Sequence, residues 1–231
     1  MQKKFSKELN GAYEFMADAY HGNWQYRWGG GTPYLQKNIK TRKNESIVGH
    51  EWACIGFYFY FRRLCPALNK LVDATEIYER LWSHDLGETF RGDISQFQQL
   101  TGKGADKHFF ERKEIQKMGK KISKKTLKQL IDWFNEFEGE FKNIKKLEIL
   151  IVKFIDTMQG NHFALVFGNN LPKYKITINK IVNRSFIPIT KQLLKILKEH
   201  GHKKAYQEVK IVALHHLKMF DKAGVSINLD F

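Results

Sequence analysis

The sequence is short of the features that cross-link, anchor or export a chain. It has two cysteines, Cys54 and Cys65, and no Cys-x-x-Cys pair. Both lie in or beside an aromatic-rich segment and read as reduced core thiols, not as a disulfide framework. No apolar run is long enough to span a membrane: 147–152 and 154–155 are interrupted by Glu148 and Lys153. The opening "MQKKFSKELN" lacks the apolar stretch of a signal peptide. A cytoplasmic protein without a membrane partner is expected. Strand-like alternation is scarce, and neither an internal repeat nor a linker interrupts the chain. Acidic residues are the minority, 24 against 39 Lys and Arg, for a formal charge of +15. Such a balance attracts polyanions, from nucleotide phosphates to nucleic acid, and is equally the signature of a lysine-rich surface.

What remains is helical periodicity in a chain of 231 residues that is 42% hydrophobic, enough for one substantial core. A first helix is expected over 5–20, followed by a glycine-rich loop holding Trp24, Arg27 and Trp28. From about Ile47 a helix carries His50, Cys54, Phe57, Tyr58 and Phe61 on one face and is closed by Pro66. Another runs from near Asp73 to His84–Asp85. Glycines at 92, 102 and 104 mark a loop. Six lysines from Lys117 to Lys128 would form a basic stripe if that segment were helical. The strongest pattern covers 124–159, bent or split at Gly139, and further helices fit 174–183, 188–199 and 203–220. The expectation is an all-α fold forming a single domain over 1–231, with a core of about 27–170 and a C-terminal helical extension of about 171–231.

Four residues are not explained by packing. His50 sits on the most apolar face of its helix. Asp156 lies in "LEILIVKFIDTMQ", where a carboxylate is costly to bury unless paired or bound to a metal. His84 and Asp85 end an amphipathic helix. Together they offer two imidazoles and two carboxylates, a donor set suited to first-row divalent ions such as Mn, Fe, Co, Ni or Zn rather than Ca. A metal so held activates water and polarises a phosphoryl oxygen, so phosphate-ester hydrolysis is the chemistry that fits. If the helix continued through 84–88, His84 and Glu88 would share a face, placing Glu88 beside the water as general base or proton shuttle. Asp93, past the turn at Gly92, would orient that water or a leaving oxygen.

The motifs "KNESIVGH" (Lys43–His50), "HDLGETFRGDI" (His84–Ile94) and "FIDTM" around Asp156 resemble the HD-domain metal-dependent phosphohydrolases. The branch they resemble most carries His-Asp-x-x-Glu followed by Gly-Asp, and includes 5′-deoxynucleotidases and phage-type deoxynucleoside triphosphohydrolases. The resemblance covers about 27–170. It implies metal ligation by His50, His84, Asp85 and Asp156, with Glu88 and Asp93 around the water. It implies a phosphate grip by Arg27 and a sugar–base contact by Trp28, whose other reading is a loop aromatic on the core. Lys43 and Arg91 complete the substrate-binding candidates, Arg91 being either a phosphate contact or a surface residue. Gly49 departs from the glutamate that relatives often carry there.

The expected substrate is a 2′-deoxynucleoside 5′-phosphate, either a monophosphate or a triphosphate, with Mg as a further ion on the substrate phosphates. Competing readings keep the metal but change the substrate, to a cyclic nucleotide, a guanosine polyphosphate or a nucleic-acid end. A basic nucleic-acid-binding module with a structural metal is the less favoured alternative. A homo-oligomer is expected from the aromatic 55–61 helix. His200, His202, His215 and His216 read as solvated surface.

Overall fold

A computed structural model describes residues 2–27, 32–35, 45–139 and 141–227. The described residues form the expected all-α fold. Helix α1 is Gln2–Ala19, α2 Ile47–Leu64, α3 Ala74–Ser83, α4 Gln96–Leu100 and α5 Lys107–Met118. Then come α6 Lys124–Phe137, α7 Leu147–Phe167, α8 Lys175–Arg184, α9 Phe186–Glu199 and α10 Lys203–Lys222.

Local chemistry sets the boundaries of the helices that carry the site. Ser46 is extended (φ −79°, ψ 161°) and its hydroxyl accepts from the Gly49 N–H at 3.0 Å, starting α2 four residues before His50. Pro66 keeps Cys65 out of helical geometry (φ −118°, ψ 62°) and ends α2. Asp73 caps α3 by accepting from Thr75 N–H at 2.8 Å and Glu76 N–H at 3.2 Å. Helix α7 is different in kind: every side chain from Ile149 to Ile155, Lys153 included, is buried. A helix apolar all round must be the centre of the bundle. It packs on α2 and α3, which also pack on each other, and on α9 from the other side.

One core therefore runs from Tyr58, Phe61 and Leu81 through Leu150 and Phe154 to Phe186, Leu193, Val209 and Leu217 in the C-terminal helices. A second, smaller cluster joins α1, α5 and α6 through Phe15, Ile115, Met118 and Phe134. No helix among the described residues is long and apolar enough to cross a membrane.

Several sequence expectations need correction. The stretch after Gly92 is not one loop, since it contains α4 and α5. The Lys117–Lys128 stripe does not lie on one helix: it is interrupted by a 3₁₀ turn at Gly119–Lys121, extended Ile122 and the capping Ser123. Gly119 is required there, because a Cβ would sit 2.2 Å from Leu127 Cδ1. The 124–159 pattern is two helices with a gap from Glu138 to Lys146, and α7 continues through Asn161 and His162 to Phe167. The α-helix before the His-Asp pair stops at Ser83, and 86–88 form a 3₁₀ turn.

Candidate active site

His50 and His84 meet where α2, α3 and α7 converge, with Nε2 atoms 3.1 Å apart and both rings buried. Their other nitrogens are fixed. His84 Nδ1 lies 2.9 Å from the Leu81 carbonyl, which can only accept, so Nδ1 carries the hydrogen. His50 Nδ1 lies 2.6 Å from Gln159 Oε1. The Gln159 amide donates in turn to the Glu45 carboxylate, which settles which end of the amide faces the imidazole. In their neutral tautomers both Nε2 atoms would present lone pairs to a common point, whereas a protonated His50 hydrogen-bonds Asp156 Oδ1 through Nε2.

Two carboxylates close on that point. Asp156 Oδ1 is 3.1 Å from His50 Nε2 and 3.9 Å from His84 Nε2. Asp85 Oδ2 is 3.5 Å from His50 Nε2, and its Oδ1 is 3.6 Å from His84 Nε2. Helix α7 supplies both Asp156 and, three residues on, the Gln159 that orients His50. Burial pushes the Asp156 carboxyl up, but the His50 hydrogen bond and the charges of His50, His84 and Arg27 hold it well below the usual range. Asp85 is likewise lowered against burial, by His84, Arg27 and His50. Burial lowers the His84 imidazole. For His50, burial and Arg27 oppose protonation, yet the bond to Asp156 and the Asp85 charge prevail and raise it.

Arg27 reaches the same place from a separate segment. Its backbone N–H donates to Glu45 O at 2.9 Å, Ile47 N–H donates to Gln25 O at 3.0 Å, and Tyr26 and Ser46 form an isolated antiparallel bridge. The chain between the two sides of this bridge can have any length without moving Arg27 relative to His50. The guanidinium is buried 4.0 Å from Asp85, 3.9 Å from Asp93 and 3.8 Å from Asp156. Burial works against its charge, and the carboxylates more than compensate.

The 3₁₀ turn replaces the helix expected over 84–88, and it still aligns Asp85 with Glu88, because side chains three apart eclipse there. The turn is tight: Glu88 N–H donates to Asp85 O at 2.8 Å, and a Cβ on Gly87 would lie 2.5 Å from Glu111 Cβ. Glu88 does not face the histidines alone, since its Oε1 is 2.8 Å from Lys107 Nζ. Lys107 also contacts Asp93 Oδ1 and Glu111 Oε1, each at 3.4 Å, and these three carboxylates keep it cationic. Burial and the Asp85 charge raise the Glu88 carboxyl, with Lys107 opposing. Sequence reasoning missed Lys107 and Glu111 because their helix was not recognised. It missed the Glu45–Gln159 relay because amides and acids near a motif carry no periodic signal.

Arg27, His84, Asp85, Glu88, Lys107 and Asp156 line a cavity of about 360 Å³, a size typical of small-molecule sites, while His50 is fully buried off its wall. Arg91 does not line it. Its guanidinium stacks 4.2 Å from the Phe110 ring, 3.7 Å from Glu114, on a half-exposed side chain, a placement in keeping with the second of its two readings, a surface residue. The chain reversal at Gly92 (φ +74°) separates it from Asp93. Trp28 and Lys43 lie outside the described residues. His162 packs on Phe57 rather than facing the cavity. His216, read as surface, is buried between Phe186 and Phe220, and burial takes its imidazole down to about 3.

Cys54, one helical turn from His50, places Sγ 3.7 and 3.5 Å from the two ring nitrogens. Its sulfur lies with donor atoms of His50, His84 and Asp156 in a cluster spanning no more than 4.8 Å, a group able to hold a metal ion. Burial pushes the thiol well up, so it stays protonated and packs against the imidazole. A second cluster of the same span is His108, Glu111 and Glu138 at the cavity wall. Hydrogen bonds to Glu111 and Glu138 raise His108 to about 9, with Glu138 at 2.8 Å the closer and Glu111 at 3.8 Å. A raised imidazole contributes stability in full below its unfolded value of about 6.5 and loses it as pH rises through about 9. His108→Gln is therefore expected to flatten the fall in melting temperature between those two pH values, measured on parent and variant in parallel.

The family model described as HD domain matches residues 35–198, well over half of the chain. The chain belongs to the HD-domain family, whose members are in general divalent-metal-dependent phosphohydrolases. Arg27 lies before the matched segment and α10 after it. No match was found among curated proteins or among solved structures.

The residues present fit a divalent cation. Asp85 Oδ2 is buried without a hydrogen bond, and two imidazole lone pairs converge on it and Asp156. Arg27 offsets the carboxylates from one side, and a divalent cation held between the imidazoles and the carboxylates would meet the donor atoms that Arg27 does not. Groups that orient a ligating imidazole typically contribute ten- to a hundredfold in metal affinity. Gln159→Leu is expected to weaken metal binding by about that factor, read by competition with a chromophoric chelator.

Proposed function

We propose that the protein hydrolyses 2′-deoxynucleoside 5′-phosphates, and monophosphates in preference to triphosphates. The observation that carries this reading is the Arg27 guanidinium, held 3.8–4.0 Å from Asp85, Asp93 and Asp156 on the wall of the cavity. A phosphate-gripping group then faces the same space as His84, Asp85 and Asp156, with His50 buried beside them. Arginine suits this role because its planar fork binds two phosphate oxygens at once. The deoxy sugar follows from the resemblance of the His84–Asp93 motif to the deoxynucleotidase branch.

His50, His84, Asp85 and Asp156 would hold the metal, which supplies an activated water and polarises the phosphoryl group. Arg27 would orient that group. Glu88, whose Oε2 is buried without a hydrogen bond, would hold a proton for the departing 5′ oxygen. Lys107 would fix Glu88 and Asp93 in position. The monophosphate is favoured because Lys107 is committed to three carboxylates and His108 to two. The Lys117–Lys128 segment contributes nothing to the cavity wall. Of the other wall cations that a polyphosphate tail could meet, Lys153 lies over the Phe137 ring with burial lowering its ammonium, and Arg184 is exposed at the end of α8.

Phosphate release is to be measured over ribo- and deoxynucleoside mono-, di- and triphosphates with Mn, Co, Fe, Ni, Zn and Mg in turn. Release of inorganic phosphate from deoxynucleoside monophosphates supports the reading. Activity confined to cyclic nucleotides, guanosine polyphosphates or nucleic-acid ends would replace it.

A further inference from the structure

The cavity does not end at the ligand set. Along α7 its wall continues from Asp156 through Thr157, Gly160 and Asn161 to Ala164 and Leu165. This i, i+1, i+4, i+5, i+8, i+9 spacing is one face of a helix. At 1.5 Å per residue, Asn161 lies roughly 7–8 Å along the axis from Asp156, and Leu165 roughly 13–14 Å. The small residues Gly160 and Ala164 on this face leave room above it. Apolar side chains of the C-terminal region complete the wall, Ile178, Ile181 and Val182 from α8 and Ile189 from α9. Helix α8 also approaches α4, whose Gln96 and Gln99 line the cavity.

Asn161 is out of place in such a wall. It is nine-tenths buried, and its Nδ2 is shielded from solvent with no hydrogen-bond partner among the described residues. An unmet amide donor in a protein interior costs about 1–3 kcal/mol, so it normally marks a partner that arrives from outside. Rotation about χ2 lets the same amide offer a donor or an acceptor. The slot's faces are largely apolar, and Thr157, Ser185 and Gln99 direct their donors to backbone carbonyls, so the unmet Asn161 amide is the group suited to the polar edge of a flat heteroaromatic ring. A phosphate is better met elsewhere on the wall, where Arg27, Lys107, Lys153 and the exposed Arg184 carry positive charge, than at the neutral Asn161 amide.

We infer that the α7–α8 slot is a nucleobase subsite and that Asn161 reads the hydrogen-bonding edge of the base. The inference rests on the nucleotide reading above and extends it, giving the C-terminal helices a part in substrate choice. Asn161 is a specificity-determining residue, remote from the reacting phosphate.

The test compares kcat/KM for the dAMP, dGMP, dCMP and dTMP substrates with that for 2-deoxyribose 5-phosphate, which has no base. In Asn161→Leu, the preference for the best base over the base-free compound is expected to shrink about tenfold or more, mainly through KM. Asn161→Asp, which can only accept when ionised, is expected to reorder the four bases toward those presenting an amino group. Asn161→Ser keeps the comparison open if the leucine variant does not fold. If all rates fall together and the ratios hold, Asn161 acts on the fold alone and the inference fails. If the parent hydrolyses none of these compounds, the nucleotidase reading fails, and equilibrium binding of the four deoxynucleosides to the parent decides the slot. Binding weakened about tenfold in Asn161→Leu upholds it, and no binding to the parent overturns it.

Discussion

Asp85→Ala is expected to reduce phosphate release by about a thousandfold or more, equivalent to about 4 kcal/mol in the barrier. The carboxylate lies within 3.5 and 3.6 Å of the two histidine Nε2 atoms, and its unbonded Oδ2 is the clearest unmet donor in the site. Its loss would remove one of the four proposed ligands and leave Arg27 facing two carboxylates instead of three. Metal content should fall with activity, read by elemental analysis after dialysis against a weak chelator. Cys54→Ala provides the contrast. The thiol lies almost equally close to both nitrogens of the His50 ring, as a side chain packed against that ring does, although its sulfur shares a compact donor cluster with His50, His84 and Asp156. Cys54→Ala is expected to keep its metal. If Cys54→Ala loses metal and Asp85→Ala does not, the ligand set is His50, Cys54, His84 and Asp156 instead.

Arg27→Ala should have the second-largest effect, with two separable parts. Truncating one side of a buried charge cluster costs about 3–5 kcal/mol, because Asp85, Asp93 and Asp156 are left without the cation between them. Metal-free Arg27→Ala should therefore melt well below the parent, and added divalent metal should recover part of the loss. Catalysis should fall about a hundredfold at saturating metal, from lost phosphate orientation. Arg27→Lys tests the geometry: it restores the charge and most of the stability, but a single ammonium cannot reproduce the planar fork. Urea denaturation with and without metal, beside kcat/KM, separates the two. Equal recovery of activity and stability in Arg27→Lys would show that charge alone is needed.

The sequence made the centre of this site legible because its residues break a pattern. His50 and Asp156 stand out as polar positions inside apolar helical periodicity, and His84–Asp85 ends an amphipathic one. The structure brings all four together. Lys107 and Glu111 were hidden for the opposite reason. Helix α5 reads "KHFFERKEIQKM", and its buried positions Glu111, Ile115 and Met118 include a carboxylate, so it offers no apolar stripe to find. The 3₁₀ turn at Leu86–Glu88 depends on Gly87 packing against Glu111, a contact made by a helix still unassigned at that stage. Arg27 is placed by motif, although it lies far from His50 along the sequence. The Tyr26–Ser46 bridge resolves that, since a ladder of two strand positions fixes spatial distance whatever loop lies between. Asn161 had no signal at all. A polar residue near a helix end becomes informative only when its partners can be counted.

The most direct measurement is a titration of metal-stripped protein with Mn or Co, following phosphate release from deoxynucleoside monophosphates and bound metal in the same samples. The expected result is no release without metal and activity rising in step with binding to saturation at about one ion per chain, with both lost in Asp85→Ala. Phosphate release that persists in the stripped protein, or that survives Asp85→Ala at full rate, would contradict the account.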